Sequence, residues 1–296
     1  MSASARRRAA RLLATAIAAV AALAGAATTA SAAQTDRIVS LNGDITEVIY
    51  ALGYGGRLVG VDVSATYPPE ASRLPKIGYQ RTLSAEPILA LRPTMIVGSP
   101  LAGPPAVIEQ LEAIGQNVRI LPEPRGLNEV GLKIRRIGKL LGGRAAARSR
   151  VLARSVQRQI NNAKRRVVAR KKPRVAFLYL RGTRVQQIAG AGSGGDAMIS
   201  AAGGIDVGRQ AGITGYRQLT PEGLVQMKPD VIVTLTAGLQ SVGGVQGLLQ
   251  IPGVAQTPAG RDGRILSFDD QEFLGLGPRA PRALRALIRG LGTDKR

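Results

Sequence analysis

The 296-residue chain contains no cysteine, no histidine and no tryptophan, and aromatic residues make up only 3% of it. Without cysteine it can form neither a disulfide nor a thiolate metal site, and it has no cysteine nucleophile. Without histidine it lacks the commonest metal ligand and the commonest general base. The inventory of residues therefore excludes Ser-His-Asp hydrolysis and histidine-based zinc hydrolysis.

Acidic residues are also scarce: 19 Asp and Glu stand against 41 Lys and Arg, which gives a net charge of +22. Such a charge attracts anions. Nucleic acid is a poor fit, because aromatic residues are few and the basic residues are scattered. The densest basic stretch, residues 164–172, is interpreted as the solvated face and end of a helix. We expect an anionic ligand or an anionic partner surface.

No apolar run reaches the roughly 20 residues that a membrane-spanning helix needs. The N-terminus instead has a charged start with Arg6–Arg8 and a short apolar core, Leu12–Leu23. Small residues follow, and this order predicts a secretory signal peptide over residues 1–33, cleaved near Ala32 or Ala33. A lipid anchor would need a cysteine at the cleavage site, so we expect a protein free in the periplasm.

One stretch of sequence occurs twice. Leu83–Ser99 reads LSAEPILALRPTMIVGS and Leu219–Leu235 reads LTPEGLVQMKPDVIVTL, with Glu86 matching Glu222 at an offset of 136 residues. That offset is too long for a solenoid repeat, which has a period of about 20–50 residues. It suits two similar lobes, which predicts a cleft between them and a partner that contacts both.

Strand and helix patterns alternate in both halves of the chain, which predicts an α/β fold. Between the halves, Arg144–Arg170 has no Gly or Pro and carries apolar residues at helical spacing. We therefore predict two Rossmann-like lobes joined by one long rigid helix, with the ligand cleft between the lobes. The predicted divisions are the signal peptide 1–33, an N-terminal α/β lobe 34–126, a helical connector 127–171 and a C-terminal α/β lobe 172–296.

Gly190, Gly192 and Gly195 satisfy the G-x-G-x-x-G dinucleotide pattern between a predicted strand and a predicted helix. A secreted Rossmann-type enzyme is therefore an alternative. The pattern should be followed about 20 residues later by an acidic residue at the end of a strand. Here Asp206 falls in loop-like sequence, so a tight turn into the helix is the preferred interpretation.

The segment GYQRTLSAE starts at Gly78. It closely resembles a segment of the haem-binding periplasmic proteins that supply bacterial ABC haem importers, and it is fairly specific to that branch. The remaining similarity covers the rest of the chain from Arg37 and includes RIVSLNGDITEVIYALG, AGSGGDAMISAAGG, GYRQLTPEGL and LGLGPRAP. These segments are shared with relatives that bind cobalamin, siderophores or metals, and a carrier of one of those ligands is the main alternative.

The resemblance implies that Tyr79 is the axial ligand of the iron in a transported haem b. The chemistry agrees, because ferric iron is a hard cation and tyrosinate is a known haem ligand. Arg81 is a candidate to favour the phenolate or to pair with a haem propionate. Tyr216 is expected to face the same cleft, and Arg217 and Arg279 are further candidates for the propionates. With no histidine available, five-coordinate iron is expected.

In the wider family, one surface glutamate in each lobe docks on arginines of the membrane permease, and Glu86 and Glu222 match those positions. Paired carboxylates on either side of a cleft would orient the complex as well as strengthen it. The resemblance therefore implies a monomeric periplasmic protein that binds haem and delivers it to the transmembrane subunits of an ABC importer. We expect no catalysis, no binding of nucleic acid and no stable membrane insertion.

Overall fold

The computed structural model describes residues 36–168 and 172–294. The predicted signal peptide lies outside the described residues, as do residues 169–171 at the end of the predicted connecting helix. Within the described ranges, no helix is both long and apolar enough to span a bilayer.

The N-terminal lobe is a parallel sheet covered by helices. Its strands lie in the order β2-β1-β3-β4, and all neighbouring pairs are parallel. Parallel strands are buried on both faces and so read as apolar runs; Ile38 and Val39 of β1 are fully buried. The elements are β1 (Ile38–Ser40), α1 (Gly43–Ala51), β2 (Leu58–Val61), α2 (Pro69–Ser72), α3 (Ala85–Ala90), β3 (Met95–Gly98), α4 (Pro105–Ala113) and β4 (Val118–Ile120).

A helical hairpin follows, in which α5 (Val130–Leu141) packs on α6 (Gly143–Arg165). The break between them falls at Gly142 and Gly143, whose φ angles of 69° and 46° lie in the left-handed region that favours glycine. The sequence placed the end of the long helix at Arg170, which is too far. The helix ends at Arg165 because Val168 N–H donates to Thr293 O at 2.8 Å, so the chain pairs with the C-terminus instead.

The C-terminal lobe is a mixed sheet with the main order β10-β9-β5-β6-β8, and β7 pairs with β5. β6 and β8 are antiparallel, whereas β5, β7, β9 and β10 are parallel. The strands are β5 (Arg174–Arg181), β6 (Val185–Ala189), β7 (Ile205–Asp206), β8 (Tyr216–Gln218), β9 (Val231–Leu235) and β10 (Ile265–Phe268). The helices are α7 (Gly194–Ala201), α8 (Val207–Gln210), α9 (Pro221–Met227), α10 (Thr236–Ser241), α11 (Gly244–Gln250), α12 (Pro258–Arg261), α13 (Asp270–Leu274) and α14 (Ala280–Leu291).

The duplicated sequence builds the same unit in each lobe. In the first copy α3 leads into β3, and in the second α9 leads into β9. Each helix is followed by a non-glycine residue in the left-handed region, Arg92 and Lys228, both with φ near 45°. Each of these residues precedes a proline, which ends the helix. The repeat in the sequence is therefore a repeat in backbone conformation.

Two of the three glycines of the G-x-G-x-x-G pattern serve packing. β6, which precedes them, is antiparallel to β5, so they do not open a parallel βαβ unit. A Cβ on Gly195 would lie 2.6 Å from the Phe177 ring, and one on Gly190 would lie 2.3 Å from Ile213 O. Gly192 instead has φ of 79°, in the left-handed region that favours glycine. Close packing and this backbone angle account for the glycines without a dinucleotide, which removes the main support for the enzyme alternative.

The long helix α6 is anchored in a hydrophobic core that reaches into both lobes. Its buried residues Ala153, Val156 and Ile160 belong to the same cluster as Val48 of α1 and Leu287 of α14. A helix packed on both halves along its length acts as a rigid connection rather than a flexible linker.

Truncating Ile160 to Ala should therefore destabilise the whole protein. Ile160 is fully buried, and removing a buried isoleucine side chain to the β-carbon costs about 2–5 kcal/mol. Val151 lies on the same helix but is 61% exposed, so Val151→Ala should change the free energy of unfolding by less than about 0.5 kcal/mol. Chemical denaturation of the two variants compares them directly. Equal losses in the free energy of unfolding would show that the buried side of α6 does not stabilise the shared core.

Candidate ligand cleft

Tyr79 lies on a loop that is held against the carboxyl ends of β1 and β3. Gly78 enters the loop with φ of 102°, and Thr82 N–H donates to Tyr79 O at 2.8 Å. The next residue, Gln80, accepts a hydrogen bond at its carbonyl from Gly103 N–H at 2.8 Å, and its side chain pairs with Asn42. Ligands of α/β proteins bind at the carboxyl ends of parallel strands, and this loop lies there.

Asp62 supports the same loop from below. Its carboxylate is fully buried, accepts a hydrogen bond from Ser64 N–H at 3.0 Å and lies near the backbone N–H of Gln80. Burial raises the pKa of Asp62 from its ordinary value near 3.8 to about 6, although Ser64, the backbone N–H of Gln80 and the charge of Lys76 act in the opposite direction. The loop that carries Tyr79 therefore rests on a carboxyl group that titrates under mildly acidic conditions.

The raised pKa of Asp62 predicts a specific pH profile. Because the folded state holds the proton more tightly than the unfolded state, the contribution of Asp62 to stability is fully present below pH 3.8 and is lost as pH rises through about 6. Asp62→Asn should therefore raise the free energy of unfolding at pH 8 by about 1–3 kcal/mol relative to the wild type, with no such gain at pH 4.

Urea denaturation across this pH range measures the effect. The exposed Asp262→Asn provides a matched surface control, and its profile should follow the wild type. If the free energies of unfolding of the wild type and Asp62→Asn differ by the same amount at pH 4 and pH 8, the raised pKa of Asp62 is contradicted.

The opposite wall of the cleft comes from β5 and β8 in the C-terminal lobe. Tyr179 and Arg181 lie at the carboxyl end of β5, and the Arg181 guanidinium carbon lies 4.6 Å from the centre of the Tyr179 ring. The rings of Tyr179 and Tyr216 meet edge to face, with centroids 5.6 Å apart. Asp270 holds Arg181 in place through an ion pair of 2.5 Å. The wall is thus two tyrosines and one oriented cation.

The phenols of the two walls lie close enough to influence each other. Burial, with the neighbouring Tyr79 phenol as a further cause, raises the pKa of Tyr179 to about 12. Burial also raises the pKa of Tyr216, which the charge of Arg81 opposes. The structure therefore places Tyr79, Arg81 and Tyr216 near one another and adds Tyr179 to the group.

Sequence reasoning missed Tyr179 and Arg181, although a signal was present. Side chains alternate between the two faces of a strand, so the run RVAFLYLR places Tyr179 and Arg181 on the same face as the buried Val175 and Phe177. At the carboxyl end of a central strand, polar residues that continue a buried apolar face point to a ligand site. The gap in the prediction was a failure to apply this rule to β5.

Arg279 is placed differently from the sequence expectation. Its side chain is only 13% exposed and contacts Glu47 at 3.1 Å, Asp269 at 3.3 Å and Glu272 at 3.4 Å. It also lies over the Tyr67 ring, 3.8 Å from the centroid. The guanidinium is thus engaged by carboxylates of the protein itself, and we do not retain Arg279 among the residues that contact the ligand.

This network joins the two lobes behind the cleft. Gln271 of α13 donates to Gly43 O at 2.8 Å and to Glu47 at 3.1 Å, and it accepts from Thr66 N–H at 3.0 Å. Nearby, the buried Lys133 forms an ion pair with Asp44. Lys133 also donates to the carbonyl of Gly275 in the C-terminal lobe at 3.0 Å. Buried polar groups satisfied in this way favour one relative position of the lobes.

The remaining predicted residues lie on the surface. Arg217 is exposed and, because side chains alternate along β8, lies on the opposite face from Tyr216. Glu86 and Glu222 are both exposed and each lies in the first turn of its helix, α3 or α9. The two glutamates occupy equivalent positions in the duplicated units. Among the described residues, no group of three or more Asp and Glu side chains could hold a metal ion.

A separate hollow of about 660 Å³ shares no residue with this cleft. Two of the arginines that line it are already paired, Arg209 with Asp196 and Arg125 with Glu129. Both arginines are therefore already paired with carboxylates of the protein, and the hollow is not the candidate site.

The model of the periplasmic binding protein family matches residues 38–272. The chain belongs to this family. Among solved structures it is similar to the periplasmic heme-binding protein RhuT from Roseiflexus sp. RS-1 in apo form, with 50% identity and a TM-score of 0.83 over 87% of this chain and 98% of that one. It is also similar to the periplasmic heme-binding protein BhuT in complex with two hemes, with 37% identity and a TM-score of 0.78 over 86% and 97%.

Curated relatives are more distant. An uncharacterized ABC transporter substrate-binding lipoprotein of Bacillus subtilis, YvrC, is 25% identical over 87% of this chain and 80% of its own length. The vitamin B12-binding protein of Yersinia pestis is 26% identical over 72% of this chain and 73% of its own. The predicted α/β fold with two lobes, a connecting helix and a cleft is confirmed by the match to the two-lobed solved structures.

Proposed function

We propose that this protein binds haem between its lobes in the periplasm and delivers it to an inner-membrane ABC importer. The observation that carries the proposal is the set of tyrosines from both lobes: Tyr79 lies on a loop at the carboxyl ends of β1 and β3, and Tyr179 packs on Tyr216 at the carboxyl end of β5. The similarity to solved heme-binding proteins at 50% and 37% identity supports it. The proposed function is binding and delivery, without catalysis, and the proposed functional unit is a monomer.

Tyr79 is the proposed iron ligand. Its loop is fixed by hydrogen bonds from Asn42 and Gly103 to Gln80, which positions the loop without a further ordering cost. A phenolate oxygen suits ferric iron. Tyr179 has a pKa raised to about 12, so it stays protonated and acts as a hydrogen-bond donor on the opposite wall. The iron is then five-coordinate, with one phenolate.

Arginine side chains near the phenols suit the carboxylate groups of the ligand. Arg81 is exposed and its charge acts on Tyr216, and Arg181 is oriented by Asp270 on the facing wall. Guanidinium groups bind carboxylates through paired hydrogen bonds, so Arg81 is the proposed partner of a propionate of haem b. Arg217 lies on the opposite face of β8 from Tyr216 and is not assigned this role. The edge-to-face rings of Tyr179 and Tyr216 provide aromatic surface for the porphyrin.

Replacing Tyr79 by Phe should remove the phenolate-to-iron charge-transfer band and weaken haem binding by at least about tenfold, because the iron loses its ligand. Tyr179→Phe is the matched control, since it removes the facing phenol but leaves the ligand. It should keep the band, with a smaller loss of affinity. Spectral titration with haemin measures both effects.

Two outcomes would overturn the proposal. The first is a charge-transfer band that survives in Tyr79→Phe but disappears in Tyr179→Phe, which would assign the iron to the other lobe. The second is a wild-type protein that binds cyanocobalamin and does not bind haemin, which would favour the corrinoid carriers among its relatives.

Glu86 and Glu222 are the proposed docking residues for the permease. Both are exposed, one on each lobe, in equivalent first turns. The double variant Glu86→Ala/Glu222→Ala should lower haem uptake by cells several-fold, while haem affinity in solution stays unchanged. The double variant Glu109→Ala/Asp262→Ala removes the same charge from other exposed sites and should transport normally. Equal uptake by the two double variants would contradict the docking role.

A further inference from the structure

The long helix α6 presents a row of arginines to solvent. Arg144, Arg150, Arg154, Arg158 and Arg165 are all exposed; we call this set the arginine face. At about 100° per residue the five fall within an arc of about 120°, opposite the buried residues of the helix. From the first to the last, the row extends about 32 Å at 1.5 Å per residue.

The charge of this face is not balanced locally. The sequence of α6 contains no Asp or Glu. Among the residues that the structure describes, no ion pair is recorded for any arginine of the face, whereas Arg279, Arg181 and Arg209 are all paired with carboxylates. Neighbouring helices extend the same charge through residues that are also exposed, namely Arg135 and Lys139 of α5 and Arg289 of α14.

The chemistry of the face selects its partner. Protein interfaces usually have an apolar centre, but among the described residues of α6 the only large apolar side chain exposed beside the face is Val151. Single-stranded nucleic acids need aromatic side chains for stacking, and α6 has none. A straight row of guanidinium groups instead matches a plane of phosphates, which arginine binds through paired hydrogen bonds.

We propose that the arginine face docks the protein on the anionic phospholipid headgroups of a membrane surface. The apolar side of α6 is buried in the core, so the helix lies against the headgroups without inserting. Basic residues near an anionic bilayer each strengthen binding by about fivefold, and the attraction falls off within a Debye length. Docking of this kind is independent of the cleft and does not require haem.

The test is the partition of the full chain onto vesicles of mixed phosphatidylglycerol and phosphatidylcholine, compared with vesicles of phosphatidylcholine alone. One variant replaces four arginines of the face by glutamine: Arg144→Gln, Arg150→Gln, Arg154→Gln and Arg158→Gln. The control removes the same charge from exposed positions scattered over both lobes: Arg73→Gln, Arg119→Gln, Arg261→Gln and Arg264→Gln. Residues 1–35 are common to all three proteins and contribute equally.

The face variant should bind the anionic vesicles at least about tenfold more weakly than the control, and added salt should abolish the difference. Glutamine is a good helix former, and circular dichroism with a haemin titration confirms that both variants are folded. Three results would overturn the proposal: equal losses in the two variants, equal binding of the wild type to neutral vesicles, or wild-type binding to a DNA duplex without binding to anionic vesicles.

Discussion

The cleft depends on one constraint, which is that two similar lobes keep a fixed separation. The buried contacts of Glu47 with Arg279 and Gln271 supply it, because they join α1 of one lobe to the last helices of the other. Burial raises the pKa of Glu47, and Arg279 acts against that rise. A buried pair of this kind contributes little net stability, yet breaking it is costly. Its value to this protein is therefore positional.

The hydrophobic core supports the same constraint. α6 lies in a cluster that extends from Val48 of the N-terminal lobe to Leu287 of the C-terminal lobe. Within the C-terminal lobe, Phe273 stacks on Phe177 with ring centroids 5.6 Å apart, which holds α13 against β5. Since packed cores resist gradual deformation, the lobes are expected to move little when the cleft is filled, which agrees with the rigid connection that the sequence predicted.

The elements of the fold were largely predictable, because apolar periodicity, prolines and glycines mark them locally. The helix at Ala85–Ala90 ends shortly before Pro93, and the strand at Arg174–Arg181 begins directly after Pro173. What failed were features decided at a distance. The end of α6 depends on pairing with Thr293, and the placement of Arg279 depends in part on Glu47, which is more than 200 residues away. No local pattern contains these two distant partners.

The residues of the candidate site also fall into two groups, those that a local sequence pattern marks and those that it does not. Tyr79 and Tyr216 were found through the motifs that carry them, but Tyr179 has no motif and shows itself only through strand alternation. Asp62 was not found, because a buried carboxyl under a loop has no signature in sequence. The alternation rule could have been applied to β5, whereas the role of Asp62 required the folded chain.

The contact between the Tyr179 and Tyr216 rings has a consequence for selectivity. Each ring limits the rotation of the other, so this wall keeps its shape whatever molecule enters the cleft. A broad, flat guest covers both rings and gains dispersion contacts from each, whereas a small molecule reaches only one of them. Selection at this wall is therefore by size and flatness.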